Sequence, residues 1–372
     1  MNYLTRLTNI QLFCILVITM ITTPYQVLAK LLAVTVAQHG WLAILGSILP
    51  GFILVWAYYY ILVNSSRPFP GLLEEHCGTV TGKILGFIYI WVFYLVAVKS
   101  LVIFANFFLS NVLPGMPISI LLIFIILPAF YALRKGLEAS VRTVELITIT
   151  GYPLAMLLLF FGLGPETDWS RLLPLGGFAV ADLFYGILLV STYSSFMIVV
   201  LTLGPFCHQP GNLWKWMFSA YGLFLLSTLV IAVIPIVTYG SALTSVQTFP
   251  AFNIARSTNI AGFIHNIEII LVSAVMPGVF GVLAIFWFVT CYSIQQVFGL
   301  QDYRIMVGPT AIMAGILAVL LVPNIHFMYI MLERIFPWIF ITLFGLLPLL
   351  LALVIRLKRP KDLQPGMMAG NN

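Results

Sequence analysis

Charged residues are scarce in this chain, and their scarcity excludes most classes of soluble protein. Only 8% of the 372 residues are Asp, Glu, Lys or Arg, whereas 62% are hydrophobic. Soluble domains are typically about 45–50% apolar and about 25% charged. No polar segment is long enough to form a separate soluble domain. We therefore expect a single integral membrane domain covering residues 1–372, in contact with the lipid bilayer.

The sequence also lacks the motifs of enzymes and metal proteins. It contains no nucleophile elbow, phosphate-binding loop, dinucleotide fingerprint or C-x-x-C pair among its four cysteines. The polar group Glu74, Glu75, His76 and Cys77 follows a proline-rich turn and indicates the start of a solvated helix. We predict a protein that is not an enzyme and has no cofactor or metal. The net charge of +6 is attributed to membrane topology, not to nucleic acid binding.

Ten apolar runs are each long enough to cross a bilayer. A hydrocarbon core of roughly 30 Å needs about 20 apolar residues, because a helix rises about 1.5 Å per residue. Proline and glycine turns separate the runs. The predicted spans, numbered 1 to 10 in chain order, are 10–35, 41–63, 83–112, 117–133, 143–163, 181–203, 213–239, 262–296, 305–322 and 333–356. The sequence thus predicts an all-α protein with about ten transmembrane helices.

The distribution of Lys and Arg predicts the orientation. Of the 17 Lys and Arg residues, 12 lie in segments that face the cytoplasm if the N-terminus is inside. Only Arg171, Arg256 and Arg334 fall in outer loops, and Lys30 and Lys99 lie within spans. Cytoplasmic loops of membrane proteins carry an excess of Lys and Arg. Both termini are therefore predicted to be cytoplasmic.

The middle of span 1 contains a proline with two threonines before it. Pro24 has no amide hydrogen, and its ring clashes with the carbonyl of Met20, so the helix should kink or open there. One interpretation is a proline kink with threonines bonding back to the backbone. The other is a helix that restarts, with Thr23 as N-cap and Pro24 at its first position. A restart after Thr22 would present free N–H groups to a carboxylate.

Span 6 also has polar residues near its middle, where the helix could be interrupted. Its middle carries five consecutive hydroxyl residues, namely Ser191, Thr192, Tyr193, Ser194 and Ser195. Such residues also mark ordinary helix–helix contacts. Spans 1 and 6 each open a five-span half, approximately 10–163 and 181–356, before a cytoplasmic tail at 357–372. Because five is odd, the second half must be inverted, and paired interruptions in inverted repeats indicate a transporter-type binding site.

Lys30, Lys99, Asp182 and Glu268 are the charged residues that the predicted spans place at membrane depth. Such a charge costs roughly 2.5–3.5 kcal/mol on insertion scales, so it usually has a partner or faces water. Lys30 and Asp182 are near span ends and can reach the interface. Lys99 is too deep for that, so we predict a functional or pairing role. Glu268 is expected to pair with Lys30 or Lys99, and His265, one turn earlier, forms either a proton-sharing pair with Glu268 or a structural hydrogen bond.

Several segments together resemble one protein family. They are 7–13 (LTNIQLF), 37–42 (AQHGWL), 113–117 (LPGMP), 134–142 (RKGLEASVR), and the ordered set Phe249-Pro250, Arg256, 262–264 (GFI) and Glu268. Their order and spacing resemble the B subunits of GerA-type spore germinant receptors, which are spore germination permeases of the amino acid–polyamine–organocation superfamily. The chain departs from this family at Thr22-Thr23-Pro24, where a glycine-containing break is usual, and at His265-Asn266, where an acidic–Arg pair is usual.

The resemblance implies a LeuT-like fold of ten helices built from 5+5 inverted repeats. Spans 1, 3, 6 and 8 would then line a central pocket. The subunit would sense a small germinant, often an amino acid, in the inner membrane of the spore. Its implied partners are an A-type subunit and a lipoprotein C-type subunit.

From the residues and the resemblance together we predict a mid-membrane ligand site. Its candidate ligand-binding residues are Thr22, Thr23, Pro24, Tyr25, Lys99, Ser191, Thr192, Tyr193, Ser194 and Ser195. The candidate charge or coupling residues are Lys30, His265 and Glu268. The ligand's carboxylate would meet backbone amides near Thr22 to Tyr25. Two alternatives stay open: a proton- or sodium-coupled amino acid transporter, and a channel or scaffold subunit that binds no small molecule.

Overall fold

A computed structural model describes the architecture of this chain. It describes residues 7–65, 67–164, 167–174, 176–207, 212–257, 267–321 and 325–358. The α-helices in these ranges are α1 (Asn9–Val36), α2 (Gly40–Gly46), α3 (Ile48–Val63), α4 (Phe69–Cys77), α5 (Thr79–Asn111), α6 (Ile118–Lys135), α7 (Leu137–Phe160), α8 (Val180–Ser194), α9 (Val199–Leu203), α10 (Leu213–Tyr239), α11 (Ser241–Val246), α12 (Pro250–Ser257), α13 (Ile267–Phe298), α14 (Arg304–Leu321), α15 (Ile325–Ile330), α16 (Phe336–Phe340) and α17 (Leu347–Lys358). The described part is therefore helical and contains no β-sheet.

Nine continuous helical stretches within the described ranges are long and apolar enough to cross a bilayer. The first, Asn9–Val63, contains two crossings because the chain reverses at the 3₁₀ turn Ala37–His39. A Cβ atom at Gly40 would lie 3.2 Å from the Cβ of Leu32. In a straight helix, residues eight positions apart are separated by about 12 Å along the axis. The short distance therefore shows that the chain folds back after α1. Counting the two crossings separately gives the ten predicted spans, although 262–266 at the start of span 8 lie outside the described residues.

Helix α1 is continuous through Pro24, so of the two interpretations of span 1 the restart at Thr23 is wrong and a helix that runs through the proline is what the structure shows. The helix begins much earlier, at a capping box in which Thr8 Oγ1 accepts from Gln11 N at 3.2 Å and Gln11 Oε1 accepts from Thr8 N at 3.1 Å. Proline removes one backbone hydrogen bond, whereas opening the helix would leave several polar groups unpaired in an apolar interior. Continuity is therefore the less costly solution at this position.

Span 6 does change its geometry at the predicted place. Helix α8 ends at Ser194, a 3₁₀ turn covers Ser195–Ile198, and α9 continues from Val199. A 3₁₀ turn is wound more tightly than an α-helix, and within a helix it often marks a hinge.

Span 10 contains two π-helical segments that the sequence did not predict. They cover Met331–Ile335 and Ile341–Leu346, on either side of α16. Tyrosines from other helices bond to their carbonyls: Tyr185 Oη donates to Glu333 O, and Tyr89 Oη donates to Leu343 O. π-Helical turns are rare and frequently occur at functional sites.

Helices α1 and α13 form the interior of the bundle. Helix α1 packs against α7, α8, α10 and α13, and α13 also packs against α5 and α7. Helices α6 and α14 pack against each other, and α14 has a largely exposed surface. Parts of spans 1, 3, 6 and 8 are thus brought together in the protein interior, as the resemblance implied.

Backbone contacts place distant span ends on one side of the bundle. Leu7 N donates to Phe206 O at 2.9 Å, which joins the start of span 1 to the end of span 6. Arg134 Nη1 donates to Arg304 O at 3.3 Å, which joins the end of span 4 to the start of span 9. In the predicted order of crossings, odd-numbered spans begin and even-numbered spans end on the same side of the membrane. Both contacts join span ends of this kind.

The loop between α7 and α8 caps the end of α10. Arg171 Nη1 donates to Val237 O at 3.1 Å and also to Thr238 O, and Asp168 N donates to Val237 O at 3.0 Å. The Ser170 hydroxyl and then its N–H donate to the Asp168 carboxylate, which lowers the pKa of that carboxyl below its usual value. This loop therefore satisfies carbonyls that α10 leaves free at its C-terminus.

Replacing Arg171 with alanine is expected to lower the free energy of unfolding by about 1 kcal/mol, because charged donors to helix carbonyls are lost. Thermal unfolding in lipid nanodiscs would measure it. Arg142→Ala is the matched control, since Arg142 forms only a 2.5 Å exposed pair with Glu138 on the same helix and should contribute less than about 0.5 kcal/mol. Equal unfolding temperatures for the two variants would contradict the capping role.

Candidate functional site

The predicted ligand-binding residues of spans 1, 3 and 6 all lie inside the protein. All ten are buried, with Thr22 8% and Lys99 4% exposed. Polar groups at these positions therefore face other helices instead of lipid. Of the predicted span 6 residues, the structure brings Tyr193 next to Lys99, whereas Thr22 and Tyr25 line a separate cavity between α1, α7 and α13.

Lys99, on α5, lies in a cage of aromatic rings. Its Nζ atom is 4.5 Å from the ring centroid of Phe196 and 5.6 Å from those of Tyr193 and Phe340. Tyr193 is on α8, Phe196 is in the 3₁₀ turn and Phe340 is the last residue of α16. We call Tyr193, Phe196 and Phe340 the Lys99 cage. It joins spans 3, 6 and 10.

The Lys99 ammonium has no hydrogen-bond partner among the described residues, although it is only 4% exposed. The ion pairs found in the described ranges are Glu138–Arg142 and Asp168–Arg171, neither of which involves Lys99. Aromatic rings attract a desolvated cation by about 2 kcal/mol or more, which offsets only part of the several kcal/mol needed to bury one. The Nζ atom of Lys99 therefore has hydrogen-bonding capacity that no described residue uses.

The acidic partner predicted for Lys99 cannot be assigned. His265 lies outside the described residues, and the side chain of Glu268 is likewise not described. Their pairing and coupling roles stay predictions. Lys30 is half-buried, and its Nζ atom lies 4.2 Å above the ring centroid of Tyr329, on α15.

Most hydroxyls of span 6 bond within their own helix. Thr192 Oγ1 donates to Leu188 O at 2.8 Å, Ser194 Oγ to Ser191 O at 2.8 Å and Ser195 Oγ to Thr192 O at 2.7 Å. These bonds are the ordinary way in which a membrane helix satisfies a hydroxyl. Ser191 differs, because its buried Oγ has no partner within the described part of the chain. Of these serines and threonine, Ser191 therefore has the freest hydroxyl for a ligand.

Span 1 offers side chains, not free amides. Tyr25 Oη donates to Ala155 O on α7 at 2.9 Å. Gln26 Nε2 donates to Thr22 O at 3.2 Å, and its Oε1 is buried without a partner in the described ranges. Because α1 is helical at 22–25, the predicted binding of a carboxylate to exposed amides there loses its basis. Sequence reasoning missed Gln26, although an amide within an apolar span was a visible signal.

Two small cavities lie beside α1. The first, between α1, α7 and α13, has a volume of about 40 Å³ and is lined by residues that include Thr22, Tyr25 and Gly151. The second has a volume of about 20 Å³ and includes Gln26 and Phe107. A single water needs about 10–15 Å³ of such volume, so these cavities suit water and not an amino acid. Neither of these two cavities is lined by Lys99 or by a residue of its cage.

Known structures share this fold. MhsT in complex with L-phenylalanine has a TM-score of 0.67 at 12% identity, covering 93% of this chain and 97% of that chain. A manganese transporter of Eremococcus coleocola has a TM-score of 0.59 at 12% identity, covering 94% and 85%. A Na⁺-coupled sialic acid symporter in a substrate-bound outward-open state has a TM-score of 0.52 at 9% identity, covering 94% and 97%. The predicted LeuT-like fold is thereby confirmed.

Sequence comparison assigns the family. No curated protein matches the chain. A family model described as spore germination protein matches residues 6–328, which is most of the sequence. The multi-pass bundle, its transporter fold and this match agree with the predicted resemblance. The chain is a permease-like membrane protein that belongs to the spore permease family of spore germination proteins.

Proposed function

We propose that this protein is the germinant-sensing, permease-like subunit of a spore germinant receptor, and that Lys99 binds the carboxylate of a small ligand, most simply an amino acid. The observation that carries the proposal is the buried Lys99 ammonium, which has aromatic neighbours but no hydrogen-bond acceptor among the described residues. An anion would supply that acceptor.

A carboxylate suits this site on chemical grounds. The ammonium has three N–H donors, and a carboxylate has two oxygens that accept charge-assisted hydrogen bonds. The rings of Phe196 and Phe340 would contact the apolar part of the same ligand. The Ser191 hydroxyl, two residues before Tyr193 in span 6, has no partner in the described ranges and would be available to a polar group of the ligand. The fold accommodates such a ligand elsewhere, since MhsT was solved with L-phenylalanine.

The proposal includes the setting of the protein. The two five-span halves would be inverted repeats, and both termini would face the cytoplasm in the inner membrane of the spore. An A-type subunit and a lipoprotein C-type subunit would complete the receptor. The family match supports these assignments, and the excess of cytoplasmic Lys and Arg supports the orientation.

Ligand binding is tested by thermal unfolding of the purified chain in nanodiscs with each of the twenty L-amino acids. At least one is expected to raise the unfolding temperature, because a ligand at 100 times its Kd stabilises a folded protein by about 2.7 kcal/mol. The matched control is the corresponding amino acid amide, which lacks the carboxylate and should stabilise less. If no amino acid stabilises the protein, or if acid and amide act equally, Lys99 is not a carboxylate site.

A transport function is the second candidate, because the similar structures include a manganese transporter and a Na⁺-coupled symporter. Uptake of the stabilising amino acid into proteoliposomes separates the two functions. A sensor is expected to bind the radiolabelled amino acid without concentrating it, with or without a proton or sodium gradient. Concentrative uptake by the isolated chain would establish the transporter instead.

A further inference from the structure

Two of the three rings of the Lys99 cage lie in or next to segments whose backbone is not α-helical. Phe196 lies in the 3₁₀ turn of span 6, and Phe340 directly precedes the second π segment of span 10. In both segments the backbone departs from the α-helical bonding pattern, so some carbonyls need hydrogen-bond donors from elsewhere. The position of the cage rings therefore depends on what holds these carbonyls.

A single hydroxyl on α3 contacts both segments. Tyr58 is fully buried, and its Oη lies 3.1 Å from Ser195 O and also within hydrogen-bond distance of Phe344 O. Ser195 directly precedes Phe196 in the chain. Phe344 is in the second π segment, and its ring centroid is 5.5 Å from that of Phe340 and 6.0 Å from that of Phe196.

We infer that Tyr58 is a positioning residue for the ligand site: its single O–H, shared between the Ser195 and Phe344 carbonyls, holds both segments and thereby fixes the cage rings of Phe196 and Phe340 around Lys99. The link to ligand binding rests on the proposed function of Lys99, whereas the link to the cage does not. A carboxylate that displaces Phe196 or Phe340 must move a segment that Tyr58 holds. Tyr58 would thereby couple the binding of a ligand at Lys99 to the positions of spans 2, 6 and 10.

Tyr89 provides a matched control. Its Oη donates to Leu343 O, in the same π segment, and its ring also packs against Phe344. No contact of the Tyr89 hydroxyl with span 6 is found among the described residues. Tyr58→Phe and Tyr89→Phe therefore each remove one buried hydroxyl next to the π segment, but only Tyr58→Phe also releases the 3₁₀ turn.

The first test uses no ligand. Hydrogen–deuterium exchange of the full chain in nanodiscs is measured for peptides that cover 195–203 and 341–346. Tyr58→Phe is expected to accelerate exchange about tenfold in both peptides, since a lost buried hydrogen bond weakens local structure. Tyr89→Phe should accelerate exchange only in 341–346. If Tyr58→Phe leaves 195–203 unchanged, or if both variants affect 195–203 equally, Tyr58 does not position the cage.

A second readout follows Lys99 itself. The rate at which acetic anhydride acetylates Lys99, measured by mass spectrometry, is expected to rise about tenfold in Tyr58→Phe and less than twofold in Tyr89→Phe. A general loss of folding would accelerate both variants alike and would overturn the inference. Should an amino acid stabilise the wild-type chain, Tyr58→Phe is expected to raise its Kd about tenfold. If no amino acid binds, the proposed function fails, while exchange and acetylation still decide the role of Tyr58.

Discussion

Lys99→Met is expected to make the protein more stable and to abolish its response to ligand. Methionine has a similar length but carries no charge, so the burial cost of the ammonium disappears while the cage rings keep a side chain to pack against. Replacing buried charged groups with apolar residues of similar volume often stabilises proteins by about 1–4 kcal/mol. Thermal unfolding of both chains in nanodiscs measures this gain.

The expected loss of ligand binding in Lys99→Met has a different physical cause from the gain in stability. A hydrogen bond to a charged group contributes about 1.5–3 kcal/mol, which corresponds to roughly a 10–100-fold change in affinity. We therefore expect the ligand-dependent rise in unfolding temperature to vanish in Lys99→Met, and spores carrying this variant to germinate poorly with the same amino acid. Greater stability combined with loss of response is specific to a residue that is kept for function.

Lys30→Met is the matched control. Lys30 is also a lysine within a predicted span, but it is only half-buried and its Nζ lies over the Tyr329 ring. We expect little gain in stability and a response close to that of the wild type. If Lys30→Met and Lys99→Met behave alike, depth in the bundle is not what distinguishes the two lysines. If Lys99→Met destabilises the protein, Lys99 has an acidic partner outside the described residues, and the proposal that it is free to bind a ligand is contradicted.

The sequence predicted the architecture because a bilayer imposes one dominant rule. Every span must be about 20 residues long and apolar, so ten runs and their turns could be located without any structure. Depth also identified Lys99 correctly as a buried residue that could not reach the interface. The change of geometry at Ser195 was visible because five hydroxyl residues in succession are exceptional in an apolar helix.

The predictions of local structure failed where contacts between distant segments determine the conformation. Pro24 suggested an interruption, but the neighbouring helices hold α1 continuous, and the sequence gives no measure of that support. Tyr193 was among the predicted site residues, but Phe196 and Phe340 could not be selected from 29 phenylalanines, because span 6 and span 10 meet only in the folded protein. The π segments and the Tyr58 bridge depend on the same long-range contacts.

Gly82→Ala is expected to destabilise the protein strongly. A Cβ atom at residue 82 would lie 2.4 Å from Glu74 Cα and 2.6 Å from Glu74 N, both of which are backbone atoms of α4. Since a backbone cannot move aside as a side chain can, α4 must separate from α5. Overpacking of this kind costs about 3 kcal/mol, and thermal unfolding in nanodiscs measures it.

The functional consequence of Gly82→Ala follows from the rings that α4 carries. Phe69 on α4 packs against Tyr89 with centroids 4.6 Å apart, and Tyr89 in turn contacts the second π segment through Leu343 O. Displacing α4 is therefore expected to accelerate hydrogen–deuterium exchange in 341–346 as well. Gly222→Ala is the control, because a Cβ atom there would have no neighbour within 4 Å and should stabilise helix α10 by about 0.5–1 kcal/mol. Similar unfolding temperatures for the two variants would show that α4 and α5 are not in close backbone contact.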